Sequence, residues 1–124
     1  MNSNQMNCIC EEQVTYEQIK TIKDIQDELW ETNCSKGWNK LKRSPLEMHA
    51  LITTEIAEAT EAVRLGIPAI TIIDGKPEGE AVELADAMIR ILNYFTEMGW
   101  DAAFLIEMKN NYNKTREPLH GKRL

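Results

Sequence analysis

The sequence predicts an all-α fold, a bundle of four to five helices with a short extended segment between the second and third helices. Apolar residues recur at helical spacing in four stretches of the chain. Capping residues or glycines bound most of these stretches, as they do at helix ends. The one β-branched apolar run, residues 70–73, is too short to found a sheet-based fold. The 124 residues suffice for one domain with a core and are too few for two.

The first two helices have recognisable ends. We expect the first helix to begin near Thr15 and to fade by Asn33. Ser44 starts the second helix with a capping hydroxyl ahead of a proline, and Gly66 ends it.

The second half of the chain contains the extended segment and two further helices. Asp74 and Gly75 form a turn after the β-branched run, which predicts a small extended segment or a hairpin. The third helix covers about residues 79–98 and ends at Gly99, and Asp101 can cap the fourth. The predicted organisation is a flexible N-terminus, residues 1–14, a helical domain, residues 15–117, and a C-terminal tail, residues 118–124.

Net charge and cysteine content limit the partners and the compartment. A net charge of −6 makes nucleic acid and anionic membranes poor partners. The three cysteines are an odd number without zinc-site spacing, and we see no signal peptide, so we expect reduced thiols in the cytoplasm. No apolar run approaches the roughly 20 residues that a membrane-spanning helix needs. An acidic chain can still bind polyphosphates when a metal ion neutralises their charge.

Two pairs of carboxylates, each three residues apart, are the strongest functional signal. The first pair is Glu55 with Glu58, and the second is Glu83 with Asp86. Residues three apart project from the same side of an α-helix. Glu55 falls in the middle of the apolar face of the second helix, with Glu58 at its margin. A carboxylate aimed into a core costs several kcal/mol unless it is paired or bound to a metal ion.

The third helix carries its acidic pair differently. Its predicted apolar arc consists of Ala81, Val82, Leu84, Ala85, Met88, Ile89, Leu92 and Phe95. Glu83 lies opposite this arc, while Asp86 and Asn93 border it. If the two middle helices face each other, the four carboxylates meet and require a divalent cation, and hard oxygen ligands suit Mg²⁺. The pattern equally allows one buried, satisfied glutamate with the other acidic groups in solvent.

Two further features could contact a ligand. Trp38, in the loop after the first helix, could stack on a nucleobase or could cover the core as an apolar plug. In the fourth helix, Lys109, Asn113 and Arg116 follow one another at i, i+4 and i+7 and so form one stripe. This stripe could neutralise phosphates, or it could be a solvent-facing stripe near a helix C-terminus, where cations are favoured.

Several of these residues together resemble a known family. Glu55-x-x-Glu58, a gap of 24 residues and then Glu83-x-x-Asp86 resemble the acidic signature of the MazG-like all-α nucleoside triphosphate pyrophosphohydrolases. The lead-in Lys76-Pro-Glu-Gly79, the tail Tyr112-Asn-Lys-Thr-Arg116 and the closing His120-Gly-Lys122 are similar to one subgroup of that family. The resemblance covers roughly residues 15–122.

The resemblance implies a reaction, its ligands and an assembly. Members hydrolyse a ribo- or deoxyribonucleoside triphosphate to the monophosphate and pyrophosphate with Mg²⁺, which Mn²⁺ could replace, in nucleotide-pool house-cleaning. The implied metal ligands are Glu55, Glu58, Glu83 and Asp86, of which Glu55 and Glu58 would also be catalytic. The implied substrate-binding residues are Trp38, Lys109, Asn113 and Arg116. A homodimer or homotetramer with sites near its subunit interfaces is also implied.

One position departs from the family pattern. Many members have two adjacent glutamates at the start of the first motif, whereas this chain has Thr54 before Glu55. A threonine hydroxyl is a poor base, so Glu55, Glu58 or the metal ion alone would have to activate water. Two other interpretations stay open: a related hydrolase of phosphoribosyl nucleotides, and a non-catalytic helical regulatory protein that binds a metal ion.

Overall fold

The computed structural model describes residues 20–121, which form four α-helices and one hairpin. The helices are α1 (Ile22–Ser35), α2 (Pro45–Arg64), α3 (Glu80–Glu97) and α4 (Ala102–Lys114). The strands β1 (Thr71–Ile73) and β2 (Lys76–Glu78) lie between α2 and α3, and a 3₁₀ turn (Pro118–Gly121) occupies part of the predicted C-terminal tail. The predicted all-α class is thereby confirmed. Among these residues, no helix combines the length and the apolarity that crossing a membrane requires.

Side chains close the first turns of three helices. The hydroxyls of Thr21 and Ser44 and the carboxylate of Asp101 each accept a hydrogen bond from the backbone N–H three residues later. The caps at Ser44 and Asp101 confirm two predicted helix starts. Helix α1 begins after Thr21 and not near Thr15 as predicted, because Thr21 has extended backbone and caps the helix with its hydroxyl. The N-terminal segment 1–14 lies outside the described residues.

Helices α2 and α3 pack side by side as an antiparallel pair. Glu58 meets Glu83 while Glu55 meets Arg90, so the earlier residue of α2 contacts the later residue of α3. The buried apolar core is small and rich in alanine, and it consists of Met48, Ala59, Ala62, Ala87, Tyr94 and Ala102. Small side chains let the two helices approach closely, and all four predicted carboxylate ligands lie on this pair.

The face that α3 presents to α2 differs from the predicted apolar arc. Glu83, which lies opposite the predicted arc, is buried with 7% of its surface exposed. Leu84 and Met88, predicted to be core residues, are 40% and 58% exposed. The prediction was wrong because α3 has two apolar faces. Ala87 and Tyr94 continue the face of Glu83 at helical spacing, and this face packs on α2 because its alanine allows close approach.

A buried glutamine ties α1 to the start of α4. Gln26 is 2% exposed; its amide nitrogen donates to the carbonyl of Trp100 at 2.8 Å, and its amide oxygen accepts from the N–H of Ala102 at 3.2 Å. Beyond this junction α4 is loosely packed, since Ala102 is its one buried residue. Its predicted apolar side stays largely exposed, at 64% for Phe104 and 54% for Met108.

The extended segment is a hairpin with a two-residue turn. Its antiparallel pairs are Thr71 with Glu78, Ile72 with Pro77 and Ile73 with Lys76. Asp74 and Gly75 in the turn both have positive φ, 52° and 77°, as a type I′ turn requires and as Asp-Gly favours. The predicted turn is confirmed, and the second strand ends directly before α3.

Gly79, between β2 and α3, is required by a close backbone contact. Its φ is 119°, and a Cβ atom there would lie 2.2 Å from the carbonyl oxygen of Pro68 and 2.4 Å from that of Ala69. Both obstacles are backbone atoms, which cannot rotate away. The N–H of Ala81 also donates to the carbonyl of Ala69 at 3.0 Å. This crossing therefore fixes where α3 begins, and with it the position of Glu83.

The variant Gly79→Ala should lower the free energy of unfolding by about 4 kcal/mol or more, because its methyl group collides with fixed backbone. Gly66→Ala is the matched control, since Gly66 also has positive φ, 71°, but has no atom within 4 Å of the added Cβ. The control variant should lose only about 1–2 kcal/mol of its free energy of unfolding. Urea unfolding of both variants measures the difference, and equal losses would contradict a tight crossing.

Candidate metal centre and adjoining cleft

Three acidic side chains meet where α2 and α3 touch. Glu55, Glu58 and Glu83 each offer a carboxylate oxygen, and these oxygens lie within 4.8 Å of one another. Glu55 and Glu83 are buried, at 8% and 7% exposure, whereas Glu58 is exposed. We call these three residues the carboxylate cluster. The structure thus brings together three of the four predicted metal ligands.

Asp86, the fourth predicted ligand, lies beside the carboxylate cluster rather than within it. The residue is half-buried on α3. Burial, followed by the negative charge of Glu55, raises the pKa of Asp86 above its usual value. Its charge in turn acts on Glu83, so the four carboxylates form one electrostatic group.

Glu83 shows the largest effect of this crowding. Burial is the main cause, with a hydrogen bond to Glu78 and the charge of Asp86 next, and together with Glu58 they raise the pKa of Glu83 to about 7. The physical reason is that the protein replaces the water that would solvate the charged form, while neighbouring carboxylates repel it. Glu83 therefore holds a proton near neutral pH unless a cation takes the place of that proton.

The hairpin adds two charged residues that the sequence analysis did not assign to the site. Nζ of Lys76 lies 3.1 Å from a carboxylate oxygen of Glu78, and this pairing lowers the pKa of Glu78. Glu78 shares a hydrogen bond with Glu83. The sequence held a signal for this contact, because an Asp-Gly turn fixes a short hairpin whose second strand leads straight into α3.

Arg90 is a further residue that the sequence analysis missed. Its Nε donates a hydrogen bond to Oε1 of Glu55 at 2.6 Å, and its side chain is 37% exposed. This guanidinium balances one buried negative charge, without which Glu55 would be costly. Its spacing was a usable signal, because Arg90 follows Asp86 by four residues and Glu83 by seven, which places all three on one side of α3.

A cleft of about 510 Å³ opens beside the carboxylate cluster. Glu55, Asp86 and Arg90, which lie in or beside the carboxylate cluster, are three of the charged residues of its wall. The rest of the wall comes from α1 and the loop after it and from neighbouring turns of α2 and α3, namely Asn33, Gly37, Trp38, Asn39, Leu41, Arg43, Met48, Ile89, Asn93 and Glu97. A cleft of this volume suits a ligand the size of a nucleotide.

Three asparagines line this cleft. Nδ2 of Asn93 donates to Oδ1 of Asn39 at 2.8 Å, and Nδ2 of Asn39 donates back to Oδ1 of Asn93 at 3.3 Å. This reciprocal pair fixes the loop after α1 onto α3. Asn33 is 8% exposed, and its amide has no hydrogen-bond partner within residues 20–121. Its donor and acceptor groups are therefore left for water or a ligand, and amides match the edges of nucleobases.

The predicted substrate-binding residues lie in two separate places. Trp38 lines the cleft and is 64% exposed, so it does not plug the core. Lys109 and Asn113 lie on α4, whereas Arg116 lies just beyond its end, so the predicted helical stripe does not reach Arg116. None of the three lines the cleft. The cationic groups of Lys109 and Arg116 instead lie 5.0 and 5.9 Å from the centre of the Tyr112 ring. Phosphate binding by this stripe stays a prediction.

The donor set of the carboxylate cluster fits a divalent cation such as Mg²⁺. All donors are hard carboxylate oxygens, and exposed Glu58 leaves one side open to the waters that Mg²⁺ retains. The raised pKa of Glu83 indicates that the cluster lacks positive charge. Thr54 adds nothing to the donor set, because its hydroxyl donates to the carbonyl of Leu51 at 2.6 Å.

Comparisons with known proteins leave the family open. The chain matches no protein-family model, and it has no significant match among curated proteins or among solved structures. The resemblance to MazG-like enzymes therefore stays a prediction that the motifs alone carry.

In a chelating buffer, the stability of the protein should fall as pH rises, with Glu83 as the main cause. The pKa of Glu83 is about 7 in the folded protein against a model-peptide value of 4.5. Between these values the folded protein binds more protons than the unfolded chain, so the free energy of unfolding decreases toward pH 7. The loss is on the order of 3 kcal/mol.

Urea unfolding at several pH values between about 5 and 8 measures this slope. Glu83→Gln should flatten it, whereas Glu61→Gln, at an exposed position on α2, should leave it unchanged. Added Mg²⁺ should restore stability mainly at the upper end of the range. A wild-type slope no steeper than that of Glu83→Gln would contradict the raised pKa.

Proposed function

We propose that this chain is a Mg²⁺-dependent nucleotide pyrophosphohydrolase of the cytoplasm. It would cleave a ribo- or deoxyribonucleoside triphosphate to the monophosphate and pyrophosphate. The observation that supports this most is the meeting of Glu55, Glu58 and Glu83 oxygens within 4.8 Å beside a cleft of nucleotide size. The described residues that line the cleft include no serine, threonine or cysteine nucleophile, and we propose water as the attacking group.

The carboxylates would have distinct tasks. Glu55, Glu58 and Glu83 would hold Mg²⁺, with Asp86 beside them. Bound Mg²⁺ supplies positive charge for the phosphate oxygens and makes a nearby water more acidic. Glu58 is the residue best suited to accept the proton of the attacking water, because Arg90 already engages Glu55 and Glu83 is buried. This assignment fills the role that Thr54 leaves open.

The composition of the cleft wall supports one orientation of the nucleotide. The phosphates would lie toward Glu55 and Asp86, where the cation neutralises their charge. The base would lie against Trp38 and the amide of Asn33, which are uncharged and line the same cleft. An aromatic face accepts any base by stacking, whereas an amide can discriminate between base edges.

A panel assay tests the proposed reaction. Each ribo- and deoxyribonucleoside triphosphate is incubated with the protein, with and without Mg²⁺, and the phosphorylated products are separated. We expect monophosphate and pyrophosphate, formed only with the metal ion. Glu58→Gln should lower turnover by about 100-fold or more, as loss of a general base does, while Glu61→Gln, exposed on the same helix, should retain it.

Other outcomes of the panel would contradict the proposal in different ways. Nucleoside diphosphate with orthophosphate would mean that the terminal phosphate is attacked instead. Turnover of a phosphoribosyl nucleotide alone would favour the related hydrolase. Metal binding without turnover of any nucleotide would favour a regulatory helical protein.

We also propose that the chain forms a homodimer, or a homotetramer built from two such dimers, through an apolar face of the α2–α3 pair. The face consists of Ile56, Val63, Leu84 and Met88, which are 47%, 55%, 40% and 58% exposed. Because the two helices are antiparallel, this face lies on one side of the pair and Glu58 and Asp86 lie on the other. An apolar face opposite the site is typical of an interaction surface.

Met88→Glu should weaken this assembly, because it would bury a charge in the contact. Light scattering should give the wild type at least twice the chain mass of 14.2 kDa, and the variant should shift toward the single chain. Met108→Glu is the control, since Met108 is similarly exposed, at 54%, but lies on α4. A wild type with the mass of one chain would contradict the proposal.

A further inference from the structure

We infer that Arg90 binds the phosphates of the substrate while it holds Glu55, so that one guanidinium joins the carboxylate cluster to the ligand. This inference rests on the proposed function. Arg90 is not part of the acidic motifs. It takes the phosphate contact that the sequence predicted for the stripe at the fourth helix.

The hydrogen bonding of Arg90 leaves most of its donors free. Its Nε–H bonds Oε1 of Glu55 at 2.6 Å. An arginine has five N–H donors in a planar fork, so four remain on the terminal nitrogens. Within residues 20–121 these terminal nitrogens have no hydrogen-bond partner, and the side chain is 37% exposed. The free edge of the guanidinium can therefore reach a ligand without releasing Glu55.

The position of Arg90 directs that free edge to the cleft. Arg90, Glu55 and Asp86 all line it. Arg90 and Arg43 are the two cationic side chains among the described residues that form the wall, and Arg90 is the one bonded to the carboxylate cluster. A phosphate group held by a cation at that cluster would thus come next to the guanidinium.

The charge balance of the site calls for such a group. Glu55 and Asp86 line the cleft, and Glu58 and Glu83 lie next to Glu55. The proposed ligand adds several negative charges of its own, and a divalent cation neutralises only part of the total. Arginine binds phosphate oxygens with two parallel N–H bonds, which gives both charge and orientation. Lys109 and Arg116 do not line the cleft, and of the described cations that do, Arg90 is the one bonded to the carboxylate cluster and so placed to make this contact.

A purely structural role for Arg90, as the partner that neutralises Glu55, predicts different behaviour. Loss of a structural partner would disturb Glu55 and would weaken metal binding and phosphate binding together. Loss of a phosphate contact would weaken phosphate binding while metal affinity stays nearly constant. The two roles are therefore separable by measuring the two affinities independently.

The experiment uses the full chain with Mn²⁺ and inorganic pyrophosphate as probes. Spin resonance of free Mn²⁺ gives metal affinity, and calorimetry at saturating Mn²⁺ gives pyrophosphate affinity. Arg90→Ala should weaken pyrophosphate binding by about 10- to 100-fold, as loss of hydrogen bonds to a charged group does, with Mn²⁺ affinity changed less than about threefold. Arg90→Lys keeps the positive charge but not the planar fork, so its pyrophosphate affinity should lie between those of the wild type and Arg90→Ala.

Arg64→Ala is the matched control, because Arg64 pairs with Glu61 at 3.8 Å on the exposed end of α2 and does not line the cleft. It should bind both probes like the wild type. Unchanged pyrophosphate affinity in Arg90→Ala, or parallel loss of both affinities, would overturn the inference. If Arg90→Ala does not fold, wild-type pyrophosphate affinity in Arg90→Lys would overturn it instead.

The behaviour of the wild type separates this inference from the proposed function. Binding of Mn²⁺ without binding of pyrophosphate would overturn the role of Arg90 and leave the metal site standing. Failure to bind Mn²⁺ at all would overturn the proposed function, and the inference with it.

Discussion

The burial of two glutamates at the contact between α2 and α3 is the constraint on which the rest of the structure depends. A buried carboxylate without a partner is costly, and Glu55 and Glu83 lie in one cluster with a third carboxylate. The chain offsets this cost in two ways: Arg90 bonds Glu55, and Glu83 keeps a proton near neutral pH. Under the proposed function, a divalent cation at the cluster would take the place of the proton on Glu83, while Arg90 would keep its bond to Glu55.

The surrounding elements hold this cluster in place. Gly79 lets the backbone of residues 68–69 cross the start of α3. This crossing sets the position of Glu83 along the axis of α2. The reciprocal amide pair of Asn39 and Asn93 fixes the loop that carries Trp38 and so shapes the cleft. The same helix pair leaves an apolar side exposed opposite the site. The site and the proposed subunit contact thus share one rigid element, the antiparallel pair of α2 and α3.

Sequence patterns predicted the features that depend on neighbours along the chain. They failed where a feature depends on which of two helix faces packs against another helix. The caps at Ser44 and Asp101, the turn at Asp74 and the buried position of Glu55 all follow from local spacing. The position of Glu83 does not, because α3 has two apolar faces and its sequence does not say which one α2 covers. The role of Arg90 was equally hidden, since its partner lies 35 residues away on another helix.

The proposed function requires a cation at the carboxylate cluster, and anomalous scattering from crystals grown with Mn²⁺ tests this requirement most directly. We expect an anomalous peak bounded by oxygens of Glu55, Glu58 and Glu83 at about 2.0–2.3 Å, the range for hard divalent cations on oxygen. The same crystals of Glu58→Gln should show a weaker peak or none. Well-ordered crystals grown at saturating Mn²⁺ without a peak at this cluster would contradict the proposed metal site.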